Sequence, residues 1–469
     1  INISFLNGTL YICIQRSGNY KSINNNKKQL IMKSFLKYTL ATIVGLIITG
    51  AIFFIILFAS IGSMISKQDK TVEIKPNTVL KIELNQVIAD RSPQNPFGNF
   101  DFTSFKPKKS LGLNDILANI QKAKKDDNIK GIYLDLSSIP AGMATIEEIR
   151  EALLDFKESE KFIVSYSDNY SQTAYYLSSV ADKIYINPAG GLYMSGIQSQ
   201  VMFFKEALDK LGVEPQIVRY GKFKSAIEPF TKNEMSPENK KQINTYMNSL
   251  WDHMATGISE AREIDVETLN ELTNNLTHRK PKEAVKHGLI DSLKYKDEIL
   301  KELKEKSEID KEDVRFVSLQ KYTKVPKIKD YTGLAKDKIA VVYAMGSVMM
   351  GEGEEGTIGS DRISRAIREA RMDSSVKGIV LRVNSGGGSA LASEVIWREA
   401  KLAAKEKPFI ASLGDVAASG GYYIVAPADT IMASPNTITG SIGVFGLFFN
   451  SKELLNEKLG IHVDVAKTH

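Results

Sequence analysis

A serine hydroxyl becomes a nucleophile only where the chain leaves room around it and supplies a base. The stretch Gly414-Asp-Val-Ala-Ala-Ser419-Gly-Gly-Tyr-Tyr423 follows the apolar run Phe409 to Leu413, and Ala417, Ala418, Gly420 and Gly421 surround Ser419. Side chains this small admit a planar acyl group and let backbone N–H groups approach it, so Gly420 and Gly421 are candidate substrate contacts. Small residues also pack helices closely, and the stretch alone leaves that role open. Upstream, Asn384-Ser-Gly-Gly-Gly-Ser389 leads into an apolar helical stretch from Leu391 to Ala404. Free N–H groups and the dipole at a helix start favour developing negative charge, which makes Gly387 and Gly388 candidates for an oxyanion hole. The run lacks the Lys-Ser/Thr ending of a phosphate-binding loop, although a flexible loop remains the plainer reading.

The base must be a histidine or a lysine. Histidines stand at 253, 278, 287, 462 and 469 without metal-ligand spacing, and none forms a recognisable Ser-His-Asp arrangement. Lys224, in Gly221-Lys-Phe-Lys-Ser-Ala-Ile-Glu-Pro-Phe230, is flanked by Phe223 and followed by small and apolar residues. Such surroundings desolvate an ammonium group and lower its pKa, although most lysines at such spacing simply face solvent.

The elements that would position these residues are written twice. Lys130-Gly-Ile-Tyr-Leu134 recurs as Lys377-Gly-Ile-Val-Leu381, and the offset of 247 residues (377 − 130) also pairs Phe162-Ile163 with Phe409-Ile410. In the same register it pairs Asp168 with Asp415, Tyr175-Tyr176 with Tyr422-Tyr423, and Gly196 with Gly443. The first copy begins near Val79 and the second near Ile339. Apolar β-rich runs alternate with helical stretches in each copy, which predicts βαβ units on largely parallel sheets, an α/β fold. The copies diverge where chemistry would sit: Gln172 stands opposite Ser419, and Ser137-Ser-Ile-Pro-Ala-Gly142 stands opposite the glycine run. Everything from Lys222 to about Asp297 in the first copy lacks a counterpart in the second, from which we expect the chain to be part of a longer protein.

At 469 residues, 43% apolar and 25% charged, the chain has room for two or three globular domains. Its net charge of +6 is dispersed, and aromatic residues are not interleaved with it as in nucleic-acid platforms. The single cysteine, Cys13, excludes disulfides within the chain and Cys-based metal sites, and no cofactor or metal is expected. No charged residue occurs from Tyr38 to Ser66, and Leu40 to Ile61 is almost wholly apolar, which predicts a transmembrane helix. A cleaved signal peptide has a shorter apolar region. Lys27, Lys28, Lys33 and Lys37 before the span place the body on the far side of the membrane, against the weaker opposing pull of Lys67 and Lys70. The expected divisions are 1–31, a leader that is non-native or disordered, with Met32 the start; 32–66, the anchor; 67–325, the first repeat; and 326–469, the second.

Together, Gly414-Asp-Val-Ala-Ala-Ser-Gly-Gly-Tyr-Tyr423, Thr439-Gly-Ser-Ile-Gly443, Arg382-Val-Asn-Ser385 with its glycines, and Lys224-Ser-Ala-Ile-Glu-Pro-Phe230 resemble the signal peptide peptidase A (protease IV) family in its long two-repeat form. The resemblance covers roughly residues 32 to 469. It implies a membrane-anchored serine endopeptidase of two tandem ClpP/crotonase-like repeats, with Ser419 as nucleophile and Lys224 as general base. It further implies a homotetramer at the bacterial inner membrane, facing the periplasm and degrading cleaved signal peptides and other apolar peptides. Gly386 departs from the family pattern by replacing a proline that stiffens the turn. The rival readings are a crotonase-like enzyme acting on acyl thioesters and a non-catalytic membrane scaffold.

Overall fold

The duplicated pattern builds two parallel sheets, and the candidate residues Lys224, Gly387, Gly388, Ser419, Gly420 and Gly421 stand on the loops and helix start outside their strands. The computed structural model describes residues 2–6, 9–13, 34–56, 72–92, 100–101, 106–107, 112–309, 313–326 and 336–468. It comprises two compact units, 1–71 and 72–469.

In the first unit, Asn2–Leu6 and Thr9–Cys13 form an antiparallel hairpin, and α1 spans Ser34–Ile56. At 1.5 Å per residue, 23 residues reach about 35 Å, enough to cross a ~30 Å hydrocarbon core. The Thr39 and Thr42 hydroxyls donate back to Phe35 and Tyr38 carbonyls, so these polar groups are satisfied within the helix. The remainder of the expected span, Leu57 to Ser66, lies outside the described residues, as do Lys27, Lys28, Lys33, Lys67 and Lys70.

In the second unit, the first repeat runs β1 (Thr78–Ile82), α2 (Leu113–Lys125), β2 (Ile129–Asp135), α3 (Met143–Lys157), β3 (Phe162–Ser171), α4 (Gln172–Ser178) and β4 (Lys183–Tyr193). It continues through β5 (Glu214–Arg219), α5 (Glu228–Thr231), α6 (Pro237–Arg262), β6 (Ser292–Leu293), α7 (Lys296–Lys306) and β7 (Arg315–Ser318). The second repeat runs β8 (Lys338–Met345), α8 (Ser360–Met372), β9 (Val376–Ser385), α9 (Ala390–Ala404), β10 (Phe409–Ala418), α10 (Gly420–Val425), β11 (Thr430–Met432), β12 (Ile438–Gly440) and β13 (Phe445–Asn450).

The first sheet is ordered β6-β4-β3-β2-β1-β7; the second is β8-β9-β10-β11, with β12 also paired to β10. All pairs within the two sheets are parallel. The duplication read from the sequence is accurate to single residues. Helices α2 and α3 shift by 247 onto α8 and α9 at both ends, and β3 shifts onto β10. The first strand of each sheet carries a register irregularity at the same place, between Thr78 and Val79 and between Lys338 and Ile339. This α/β architecture of mainly parallel sheets is the fold class the alternation predicts.

Each repeat has its own apolar core. Ile132, Leu134, Ile146, Ile149, Leu153 and Ile163 pack in the first; Ile379, Leu381, Val383, Ile396, Ala400 and Ala411 pack in the second. Strands covered on both faces are apolar over the covered stretch, as Ile132 to Leu134 of β2 and Ile379 to Leu381 of β9 are. The repeats are joined by an antiparallel ribbon in which β5 of the first pairs with β13 of the second, from Glu214↔Asn450 to Arg219↔Phe445. This ribbon leads the residues just after Arg219 toward those just before Phe445. The chain segments bearing Lys224 and Ser441 are therefore brought together.

Candidate active site

Ser419 sits at the turn between β10 and α10 with φ 54° and ψ −119°, a conformation that costs a non-glycine residue on the order of 1–3 kcal/mol. Its neighbours hold it there. The Ser419 N–H donates to the Gly440 carbonyl at 2.9 Å, and its own carbonyl accepts the Tyr423 N–H at 2.9 Å. A sharp strand-to-helix turn of this kind lifts the hydroxyl off the sheet edge and aims the first N–H groups of the helix beside it.

Lys224 arrives from the other repeat, on the irregular segment after β5. Its Nζ lies 3.1 Å from Ser419 Oγ, 2.6 Å from the Ser441 carbonyl oxygen and 3.2 Å from Ser441 Oγ. The residue is only 5% exposed and has no carboxylate partner among the described residues. Burial pushes its pKa below the ordinary lysine value, and no carboxylate beside it counters the lost hydration of the charged form. Glu228, four residues on, anchors the segment. Its carboxylate, 1% exposed, accepts the Ser236 N–H at 3.1 Å and the Asn239 side-chain amide at 3.0 Å. Burial acts to raise the Glu228 carboxyl, but these bonds and the Ser236 hydroxyl outweigh it and hold it below the usual carboxylate range.

The glycines divide differently from expectation. Gly387 already donates its N–H to Ser385 Oγ at 3.0 Å, so it is engaged within its own loop. The Gly388 N–H donates to no group among the described residues, and a Cβ built on Gly420 would lie 3.1 Å from the Gly388 nitrogen. Gly420 opens α10 directly after Ser419, so its N–H is one of the unpaired donors of a helix start. Gly388 and Gly420 thus keep N–H groups available beside the Ser419 turn. Gly420 and Gly421 are buried and face inward, where a Cβ would meet Ser393 Oγ at 2.6 Å and the Ser385 carbonyl at 2.5 Å. Their lack of a side chain lets the turn pack this closely.

Sequence reasoning missed Ser441 as a member of the cluster, although it quoted the motif containing it. The available signal was divergence between copies, because Ser441 pairs with Met194 at the common offset. His462, set aside as the base, lies in an exposed segment without regular structure.

A sequence profile of peptidase family S49 matches residues 155–310 and 401–469, one segment in each repeat. Protease 4 of Haemophilus influenzae is 35% identical over 434 residues, covering 88% of this chain and 69% of that protein. This chain belongs to peptidase family S49. The resemblance to protease IV read from four motifs is therefore correct, and the family places the chain among serine peptidases. Protease 4 of Salmonella typhi is 38% identical over 365 residues, covering 76% of this chain and 58% of that protein. The chain thus spans well under the full length of both relatives. Among solved structures, a membrane-bound stomatin-specific protease with a substrate peptide is similar at 12% identity and a TM-score of 0.27, covering 52% of this chain and 91% of that one. At that score the likeness adds nothing to the family assignment.

Proposed function

We propose that this chain is a membrane-anchored serine endopeptidase in which Ser419 attacks a peptide carbonyl and Lys224 is its general base. The observation that carries the reading is the 3.1 Å approach of the buried Lys224 Nζ to Ser419 Oγ. A neutral amine has two N–H donors and one lone pair. The three contacts of Nζ suit that inventory: both donors go to Ser441, to its carbonyl and its hydroxyl, and the lone pair is left for the Ser419 O–H.

In this reading the Ser419 proton passes to Lys224 as the Oγ–C bond forms, and the Gly388 and Gly420 N–H groups receive the oxyanion. Lys224 then gives the proton to the leaving amine as the C–N bond breaks. Water, deprotonated by the same lysine, hydrolyses the acyl-enzyme. The exposed apolar side chains of Tyr220, Phe223, Ile442 and Val444 lie within a few residues of Lys224 and Ser441 and favour apolar, extended peptides, among them cleaved signal peptides. Helix α1 supports anchoring in the bilayer, and the family resemblance supports a body on the periplasmic side of a bacterial inner membrane and a homotetramer.

A fluorophosphonate probe applied to the purified full-length protein should label Ser419 and stop cleavage of an apolar peptide. Cleavage at the parental rate by Ser419→Ala would refute the assignment. A crotonase-like thioester enzyme or a scaffold has no use for a desolvated lysine directed at this hydroxyl.

A further inference from the structure

Asp415 belongs to the nucleophile stretch, yet it bonds to neither member of the dyad. It reaches into the first repeat instead. Its Oδ1 accepts the Thr145 backbone N–H at 2.8 Å, and its Oδ2 accepts the Thr145 hydroxyl at 2.8 Å. Thr145 is the third residue of α3, and Gly142 at the N-cap of that helix supplies no side-chain bond. An N-terminus with unpaired N–H groups and partial positive charge is thus capped by a carboxylate 270 residues away. Gly142 makes the approach possible, since a Cβ there would fall 2.2 Å from Asp415 Cγ.

The sister elements show that this cap is not a routine consequence of the fold. Helix α9, the counterpart of α3, is capped from within by Ser389, whose hydroxyl accepts the Ala392 N–H at 3.3 Å. Asp168, the counterpart of Asp415, accepts the Tyr166 hydroxyl at 2.8 Å and the Asn187 amide at 2.9 Å, both within its own repeat.

We infer that Asp415 is a positioning residue that, by capping α3 from the opposite repeat, sets the docking of the two repeats at which Ser419 meets Lys224. Asp415 lies on β10, and the next three residues, Val416 to Ala418, pair with Ile438 to Gly440. Those two strand ends deliver Ser419 and Ser441. Holding Asp415 against α3 therefore holds both serines relative to the repeat that carries Lys224. Close by, Arg382 spans the same junction, with Nε on Asp90 at 2.8 Å and a terminal nitrogen on Glu148 at 2.6 Å. Burial raises the Glu148 carboxyl; Arg382 opposes that effect, while Asp90 and Asp415 add to it. The junction therefore sets two carboxylates on one guanidinium, with Asp415 close enough to act on Glu148 and its own charge met by a helix end.

The inference rests on the Ser419–Lys224 reading, and the experiment separates the two. Parent, Asp415→Asn, Thr145→Val, the double variant, Thr145→Ser and Asp168→Asn are compared as full-length proteins for kcat, KM, pH profile and fluorophosphonate labelling. Asp415→Asn and Thr145→Val should each lower kcat on the order of 10–100-fold with little change in KM, because they loosen the reacting geometry and not the substrate contacts. The ascending limb of the pH profile should move upward as Lys224 becomes better hydrated. The double variant should be little worse than either single one. Thr145→Ser, which keeps both donors, should restore parental values, and Asp168→Asn should match the parent. A parent that labels normally while Asp415→Asn keeps parental kcat and pH profile overturns this inference alone, even if the variant melts earlier. A parent that does not label at Ser419 removes the dyad and this inference with it.

Discussion

At register position 172 the first repeat carries glutamine, and at the matching position 419 the second carries serine. The surrounding frames agree in strand register and helix ends, but the backbones part at this point. In the first repeat Ser171 is an ordinary extended N-cap at φ −72°, and α4 begins on Gln172 itself; in the second, Ser419 takes φ 54° and α10 begins one residue later. Gln172 turns its amide carbonyl onto the N–H groups of Ser195 and Gly196, both at 3.0 Å. The first repeat therefore satisfies internally the donors beside this position, while the second keeps a strained, uncrowded hydroxyl beside a lysine. One scaffold supports either outcome, and a few side chains at one strand end select between them.

Substitutions around that strand end test what separates the two repeats, beginning with the largest effect. Lys224→Arg and Ser419→Ala should each reduce kcat by about three orders of magnitude or more, since arginine cannot become neutral and alanine cannot attack. Measurable turnover by Lys224→Arg with a normal pH profile would remove the base. Gly421→Ala imports the residue the first repeat carries at 174, and its Cβ would press on the Ser385 carbonyl at 2.5 Å. It should lower kcat by about 100-fold through displacement of the turn, with fluorophosphonate labelling slowed in parallel.

Ser441→Ala removes one of the three Nζ contacts and should lower kcat by about 10-fold. In the parent, activity should rise with pH through a lysine pKa lying below the ordinary value of about 10.4, because the neutral amine is the active form and burial favours it. Ser441→Ala should displace that limb, whereas an unmoved limb would show that the Ser441 hydroxyl does not tune the amine, leaving the backbone carbonyl to hold it. The smallest effect is expected of Gln172→Ser. In a Ser419→Ala background it should yield neither label nor turnover, and it should lower stability by about 1–3 kcal/mol as the two N–H groups lose their acceptor. Labelling at position 172 would show that the first repeat is a latent site.

Much of the site was legible because its signals are local. A serine among alanines and glycines, a glycine run before a helix and a lysine beside apolar residues each occupy a few consecutive positions, and the duplication appears as one constant offset. What escaped reading depends on contacts between distant segments. Gly387 spends its N–H on Ser385 only two residues away, but that the Gly388 nitrogen lies beside Gly420 follows from how two loops pack, and no spacing rule encodes it. Ser441 and Asp415 were present in quoted motifs, but their partners lie 217 and 270 residues away.

The order of residues by itself determined an α/β duplication, a long apolar helix and the family, because hydrophobic period, run length and motif spacing are properties of neighbouring positions. Only the tertiary structure decided that a lysine of one repeat lies against a serine of the other, and which N–H groups are left for a ligand. Distances between segments are set by how two packed bodies dock, through a ribbon, an ion cluster and a helix cap whose halves are far apart in the chain.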